Sequence, residues 1–274
     1  MMKLTLVFVL SMRLLQTPTA QQAADPCESL KRERQAMESQ LRDWPNLAKY
    51  REANARLGLP VEGESRVVFL GDSITEAWDL SVFFKGKPFV NRGISGQTTP
   101  QILLRFRQDV IALKPAIVVI LAGTNDIAEN TGPTSMGMIE DNLKSMAELA
   151  RGNGVHPILA SVLPAAVYPW RPEIRPIEKI LGLNQWMKEY AATEGIGYLD
   201  YYSAMVNDQH GLKPELSGDG VHPNEAGYTI MASIVADAIA KLKLQPSKKS
   251  PYTPMCEQSL PLVSVAIGPK SLEK

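Results

Sequence analysis

The sequence predicts an α/β protein in which a parallel sheet carries helices on both faces. Three observations lead there. Short β-branched runs at residues 66–70, 89–91, 117–121, 158–163 and 197–201 read as buried strands. Longer amphipathic stretches at 101–113, 138–151, 178–194 and 224–242 read as helices. The two kinds alternate, as they do when crossover helices connect parallel strands and cover both faces of the sheet.

Composition suits such a core. Of 274 residues, 45% are hydrophobic and 21% charged, ample apolar material for one packed body. Lys+Arg and Asp+Glu balance at 29 each, so no global field favours nucleic acid or an anionic membrane. A small or neutral substrate fits that balance better than a polyanion. The three histidines, His156, His210 and His222, are a short list of possible imidazole bases.

At the start of the chain, Lys3 precedes an apolar run over 4–12, followed by Arg13 and small residues up to Ala20 or Ala24. Residues 1–24 read as a signal peptide, and the run is shorter than the ~20 apolar residues a membrane span needs. An unprocessed amphipathic start is the alternative. The expectation is an exported protein without a membrane span, periplasmic or extracellular.

Residues 25–60 read as a helical arm, with Leu30, Met37 and Leu41 loosely at helical spacing and a break or kink at Pro45. The main domain is expected over 61–245. From 246 to 274 the chain becomes a Pro/Ser/Lys-rich tail. Cys27 and Cys256 lie at opposite ends of the exported chain, and they either pair as a disulfide or remain separate thiols. No Cys/His cluster has zinc-ligand spacing, so no metal is expected.

Open parallel sheets bind ligands beyond the carboxyl ends of their strands, so chemistry is sought in the loops that follow strands. After the first strand comes Gly71-Asp72-Ser73-Ile74. Ser73 at the start of a helix has an unpaired N–H and a favourable dipole, which suits a nucleophile whose substrate develops an oxyanion, and equally an ordinary N-cap. After the second strand, Gly93 offers either a bare backbone N–H for an oxyanion or a plain turn. Ser95, Thr98 and Thr99 read as caps of the next helix. After the third strand, the Asn125 amide is a candidate oxyanion donor or an Asx-turn, and Asp126 a loop brace.

Just before the last helix stands Asp219-Gly220-Val221-His222. A carboxylate three residues before an imidazole can reach Nδ1, fix the tautomer and leave Nε2 to take a proton from a serine. His156 lies at the opposite edge of the sheet, and His210 has no such carboxylate. His222 is therefore the candidate base.

Taken together, these blocks resemble the SGNH hydrolases, the GDSL-type esterases and lipases. The marker residues fall on Ser73, Gly93, Asn125 and His222, in order, within a resemblance that spans roughly residues 66–242. Ile74 stands where that family often has Leu. The resemblance implies a flavodoxin-like three-layer α/β/α sandwich with a five-stranded parallel sheet, no cofactor, and ester hydrolysis through an acyl-enzyme. Ser73 would attack, His222 act as base, and Asp219 steady the imidazolium. The N–H groups of Ser73 and Gly93 and the Asn125 amide would hold the oxyanion.

The loop 167–172 carries Tyr168 and Trp170 between prolines and is either a wall against substrate or ordinary packing. Residues 127–136 are a second candidate rim. The loops after the strands are short and polar, which favours a short acyl group on a polar or carbohydrate alcohol. A lysophospholipase, an acyltransferase and a non-catalytic binding module are the alternatives. Oligomeric state is not legible.

Overall fold

Side-chain alternation along the strands decides the layering. In the computed structural model, which describes residues 26–242, β1 (Val67–Gly71) sends Val68 and Leu70 to one apolar cluster and Val67 and Phe69 to another. Ahead of it lie α1 (Pro26–Arg42) and α2 (Arg51–Leu57), and behind it the short helices α3 (Ser73–Glu76) and α4 (Leu80–Phe83). β2 (Phe89–Gly93), α5 (Thr99–Asp109), β3 (Ile117–Leu121), α6 (Thr124–Ile127) and α7 (Met136–Gly152) follow. The chain continues through β4 (His156–Ala160), α8 (Ile177–Glu194), β5 (Gly197–Leu199), α9 (Tyr201–Met205) and α10 (Glu225–Lys241).

All strand pairs are parallel, and the sheet order is β2-β1-β3-β4-β5. One face packs against Ile102 and Phe106 of α5, Leu143 and Met146 of α7, and Leu183 and Met187 of α8. The other packs against Ile74 and Trp78 beside α3, Tyr201 and Met205 of α9, and Met231 and Val235 of α10. Two buried faces explain why the strands read as continuous apolar runs. This is the expected three-layer sandwich. Connections reverse direction between β1 and β3, and the crevice at their carboxyl ends is the switch point where such folds hold ligands.

Boundaries moved at a few places for local reasons. The fourth strand, read from the sequence as 158–163, spans His156–Ala160. Beyond it the Asn184 side chain takes over both backbone groups of Val162, with N–H to Oδ1 at 2.8 Å and Nδ2 to the carbonyl at 2.9 Å. The segment expected as one arm over 25–60 falls into two parts. α1 belongs to the unit that ends at Trp44 and exposes Leu30, Met37 and Leu41. α2 belongs to the unit that begins at Pro45, where Asn54 donates to Asp109 Oδ1 at 2.7 Å. The proposed signal segment 1–24, the tail 246–274 and Cys256 lie outside the described residues, and with Cys256 the disulfide.

Candidate active site

Gly71 closes β1, and the chain turns directly into α3. Asp72, not Ser73, caps that helix: its carboxylate accepts from the Ile74 N–H at 3.0 Å. The cap leaves Ser73 as the first helical residue with its hydroxyl unengaged by the turn. Ser73 Oγ lies 2.9 Å from His222 Nε2, and His222 Nδ1 lies 2.7 Å from Asp219 Oδ2. The sequence brings these together from opposite ends of the domain.

The acid and base are organised by their own loop. Asp219 Oδ1 accepts from the backbone N–H of His222 at 2.8 Å and of Val221 at 2.9 Å. Gly220, at φ 80°, supplies the left-handed turn that folds the carboxylate back onto the imidazole. Burial pushes the Asp219 carboxyl up, but the side-chain and backbone bonds from His222 outweigh it and hold the group well below the usual carboxylate range. Asp219 is thus a permanent anion that favours the imidazolium. Side-chain exposures of 36% for His222 and 45% for Asp219 make this an open site, not an enclosed cavity.

Of the other expected residues, some sit at the site and some do not. Asn125 lies buried in the first turn of α6, just past the end of β3, where Gly123 at φ 122° makes the turn. Its Nδ2 donates to the Gln97 carbonyl at 3.1 Å and more weakly to Asp72 Oδ2 at 3.3 Å. Gly93 is a correction. Its N–H donates to Asn91 Oδ1 at 2.8 Å, and a Cβ there would come within 2.1 Å of the Glu76 nitrogen. Gly93 is glycine because β2 packs directly on α3, and its N–H is not available to an oxyanion.

In the loop that follows, the N–H groups of Ile94, Ser95, Gln97 and Thr98 are all taken. Gly96, exposed at φ 76° with open space around its Cα, has no hydrogen bond to its N–H among the described residues. The same holds for the Ser73 N–H. Gly96 is the glycine that the sequence reading passed over, three residues beyond the one it chose.

Ser95 is a second correction, because its N–H and hydroxyl both donate to Glu76 at 2.6 Å, so it does not cap α5. Thr98 caps α5 in a capping box with Gln101. Asp126 braces that helix by accepting from the Thr99 N–H at 2.9 Å and hydroxyl at 2.6 Å. Tyr168 is a third correction. It is fully buried, with its hydroxyl 2.9 Å from Thr124 Oγ1, so it faces no substrate. Trp170 packs against Tyr168 with the rings tilted by 31°, is 41% exposed, and has its ring 6.2 Å from the His222 ring.

A buried polar layer supports the site from below, and the sequence reading missed it. Arg105, fully buried, donates to the Gly71 carbonyl at 2.8 Å, to Gln97 Oε1 at 2.6 Å and to Asp109 at 3.0 Å. It ties the serine turn to the loop that carries Gly96 and Gln97. Burial raises the Asp72 carboxyl to about 7, with the Ile74 N–H and His222 opposing and Asp126 adding to the rise. Burial likewise raises Asp126 to about 6 against its Thr99 bonds. Among the described residues no group of His, Cys, Asp and Glu is arranged to hold a metal ion.

Fold and site together define an α/β protein with a Ser-His-Asp relay at the switch point of a parallel sheet. The model of the GDSL-like lipase/acylhydrolase family matches residues 69–230, more than half of the chain, and the chain belongs to that family. Among solved structures it is similar to a GDSL-like lipase from Bacteroides thetaiotaomicron VPI-5482, with 49% identity, a TM-score of 0.70, and coverage of 72% of this chain and 98% of that one.

Among curated relatives, an acetylxylan esterase of Xylanibacter ruminicola is 27% identical over 219 residues, which cover 66% of this chain and 44% of that protein. An uncharacterized lipoprotein of Bacillus subtilis strain 168, YqeF, is 34% identical over 126 residues, covering 39% of this chain and 52% of its own. The chain thus spans about half the length of the curated relatives it matches.

Proposed function

We propose that the protein is an exported carboxylic ester hydrolase that removes short acyl groups, acetyl above all, from a polar or carbohydrate alcohol. The observation that carries this is the unbroken Ser73–His222–Asp219 relay at the switch point. Ser73 Oγ forms a bond to the ester carbonyl carbon as its proton passes to His222 Nε2. The carbonyl π bond breaks to leave an oxyanion, held by the N–H groups of Ser73 and Gly96 and by the Asn125 amide. Collapse of the intermediate breaks the ester C–O bond, and His222 returns the proton to the departing alcohol. Water then repeats the sequence on the acyl-enzyme and releases the acid. No cofactor is needed for any of these steps.

Substrate class rests on three supports. The relay is open to solvent, so a long chain bound there would leave methylenes in water and forfeit about 0.8 kcal/mol for each one not buried. Trp170, exposed beside His222, offers a flat apolar face of the kind on which a sugar ring can stack. One relative bears the name acetylxylan esterase. Export is supported by the apolar N-terminal run and by the relative named a lipoprotein.

Rates on p-nitrophenyl esters of graded length, beside a panel of acetylated xylooligosaccharides, test the proposal. Activity should peak at acetate or butyrate and fall beyond, with acetate released from the sugars. A maximum at eight carbons or more would favour a lipid acyl hydrolase instead.

A further inference from the structure

An oxyanion amide works only the right way round. Asn125 is planar and its two ends are nearly the same size, so something must decide which end faces the reacting carbonyl. In this structure the Gln97 carbonyl, which can only accept, takes the NH₂ end at 3.1 Å, and a neighbour holds the oxygen end. Asn130 Nδ2 donates to Asn125 Oδ1 at 2.7 Å, and the Asn130 backbone N–H donates to the Asn125 carbonyl at 3.0 Å. With its oxygen held, the amide directs Nδ2 the other way, one N–H to the Gln97 carbonyl at 3.1 Å and the other to Asp72 Oδ2 at a long 3.3 Å, and it is this second, weak bond that an oxyanion would replace.

Asn130 faces the same ambiguity, and it too is resolved. The Trp170 indole Nε1–H donates to Asn130 Oδ1 at 3.0 Å, which leaves the Asn130 NH₂ end for Asn125. Trp170 is set in turn by its tilted packing against Tyr168, whose ring centroid lies 5.2 Å away. Arg171 clamps the two loops together by donating to the carbonyls of Ala128 at 3.1 Å and Glu129 at 3.0 Å.

We propose that Trp170 and Asn130 form a hydrogen-bond relay that positions the Asn125 amide, so that the exposed ring beside His222 and the oxyanion donor are one mechanical unit. The inference rests on the ester-hydrolase reading above. Asn130 is a positioning residue: it touches no substrate and acts through Asn125. Substrate settling on the Trp170 face therefore presses on a side chain two hydrogen bonds from the Asn125 amide. Binding of the alcohol portion and stabilisation of the transition state are thereby coupled. An acetylated sugar that occupies Trp170 gains in kcat, where a bare acetyl ester does not.

The test is a double-mutant cycle on p-nitrophenyl acetate, repeated as the rate at which a fluorophosphonate labels Ser73. Asn130→Asp keeps the shape and still accepts from Trp170, but it cannot donate to Asn125. It should lower kcat on the order of tenfold, part of the loss expected for removing an oxyanion donor outright, with KM nearly unchanged. Trp170→Phe, which keeps the ring and loses the N–H, should act in the same direction and more weakly.

In an Asn125→Ala background both substitutions should have no further effect on kcat. Equal losses in the two backgrounds would overturn the relay, because a residue acting by general destabilisation does not need Asn125. Should Asn130→Asp fail to fold, the Trp170→Phe arm decides alone by the same criterion. A wild-type protein inactive in both assays, or activity that survives Ser73→Ala, would instead overturn the hydrolase reading and the relay with it.

Discussion

The loop that carries Asp219 and His222 and the polar layer beneath Ser73 are built in opposite ways. In the loop, acid and base are three residues apart, every bond that shapes them is local, and both side chains meet solvent. In the layer, Asp72, Gln97, Arg105 and Asp109 come from the turn between β1 and α3, the β2–α5 connection and α5, and all are buried. A local, exposed arrangement holds its geometry through a tight turn and tolerates repacking around it. A buried arrangement from several elements must be complete, since one missing partner strands a charge away from water. On the proposed reading the proton transfer falls to the loop, and the cost of error falls on the layer.

The largest expected effects sharpen the first half of that contrast. Ser73→Ala and His222→Ala should each remove nearly all hydrolysis, by a factor on the order of 10⁴ or more, with folding intact. The double variant should be little worse than either, because nucleophile and base act as a unit. Steady-state kinetics with circular dichroism checks both halves of the statement. Asp219→Ala should be milder than either. If instead Asp126→Ala behaved like a relay loss and Asp219→Ala kept full activity, the acid would be misassigned.

Removal of the Arg105 side chain breaks the second half. Arg105→Met fills the space but leaves Asp109 buried without its counter-charge, held by the Asn54 amide alone, which should destabilise by about 3–5 kcal/mol. Chemical denaturation would report this as a lower midpoint. A variant as stable as the wild type would mean that the layer is not the structural support described here.

A smaller effect separates the two regions by pH. The Asp72 carboxyl is raised from 3.8 to about 7 by burial, so the folded state binds its proton more tightly than the unfolded chain does. The stability this brings is fully present below the ordinary value near 3.8 and is lost as pH rises through about 7. Asp72→Asn cannot ionise, so its stability relative to wild type should climb between pH 5 and pH 8.5, by on the order of 3 kcal/mol. Asp219 has the opposite sign: its depressed carboxyl contributes stability above the ordinary range that is lost only in strong acid. A pH-independent gain for Asp72→Asn would show that its carboxyl is not held neutral by burial.

The same contrast explains what the sequence made legible. Five apolar runs and four amphipathic stretches announce the sheet and its covering helices because both faces of the sheet are buried. Ser73, Asp219 and His222 stand out because tight turns place them within a few residues of a strand end or of each other. Arg105 gives no such signal: an arginine inside an amphipathic helix reads as a solvated face until the loop above it is in place. Gly93 and Gly96 differ only in what the chain packs against, which spacing cannot tell, and the wrong glycine was chosen. Tyr168 and Trp170 look alike in sequence, yet one is buried on Thr124 and the other lies open beside His222.

The central claim is that Ser73 is the nucleophile and that His222 activates it. Mass spectrometry of the peptide bearing Ser73, after exposure to a fluorophosphonate, tests it most directly. The wild-type protein should carry one adduct, on Ser73, and His222→Ala should label far more slowly or not at all. A label on another serine, or esterase turnover from a protein that never labels at Ser73, would contradict the account.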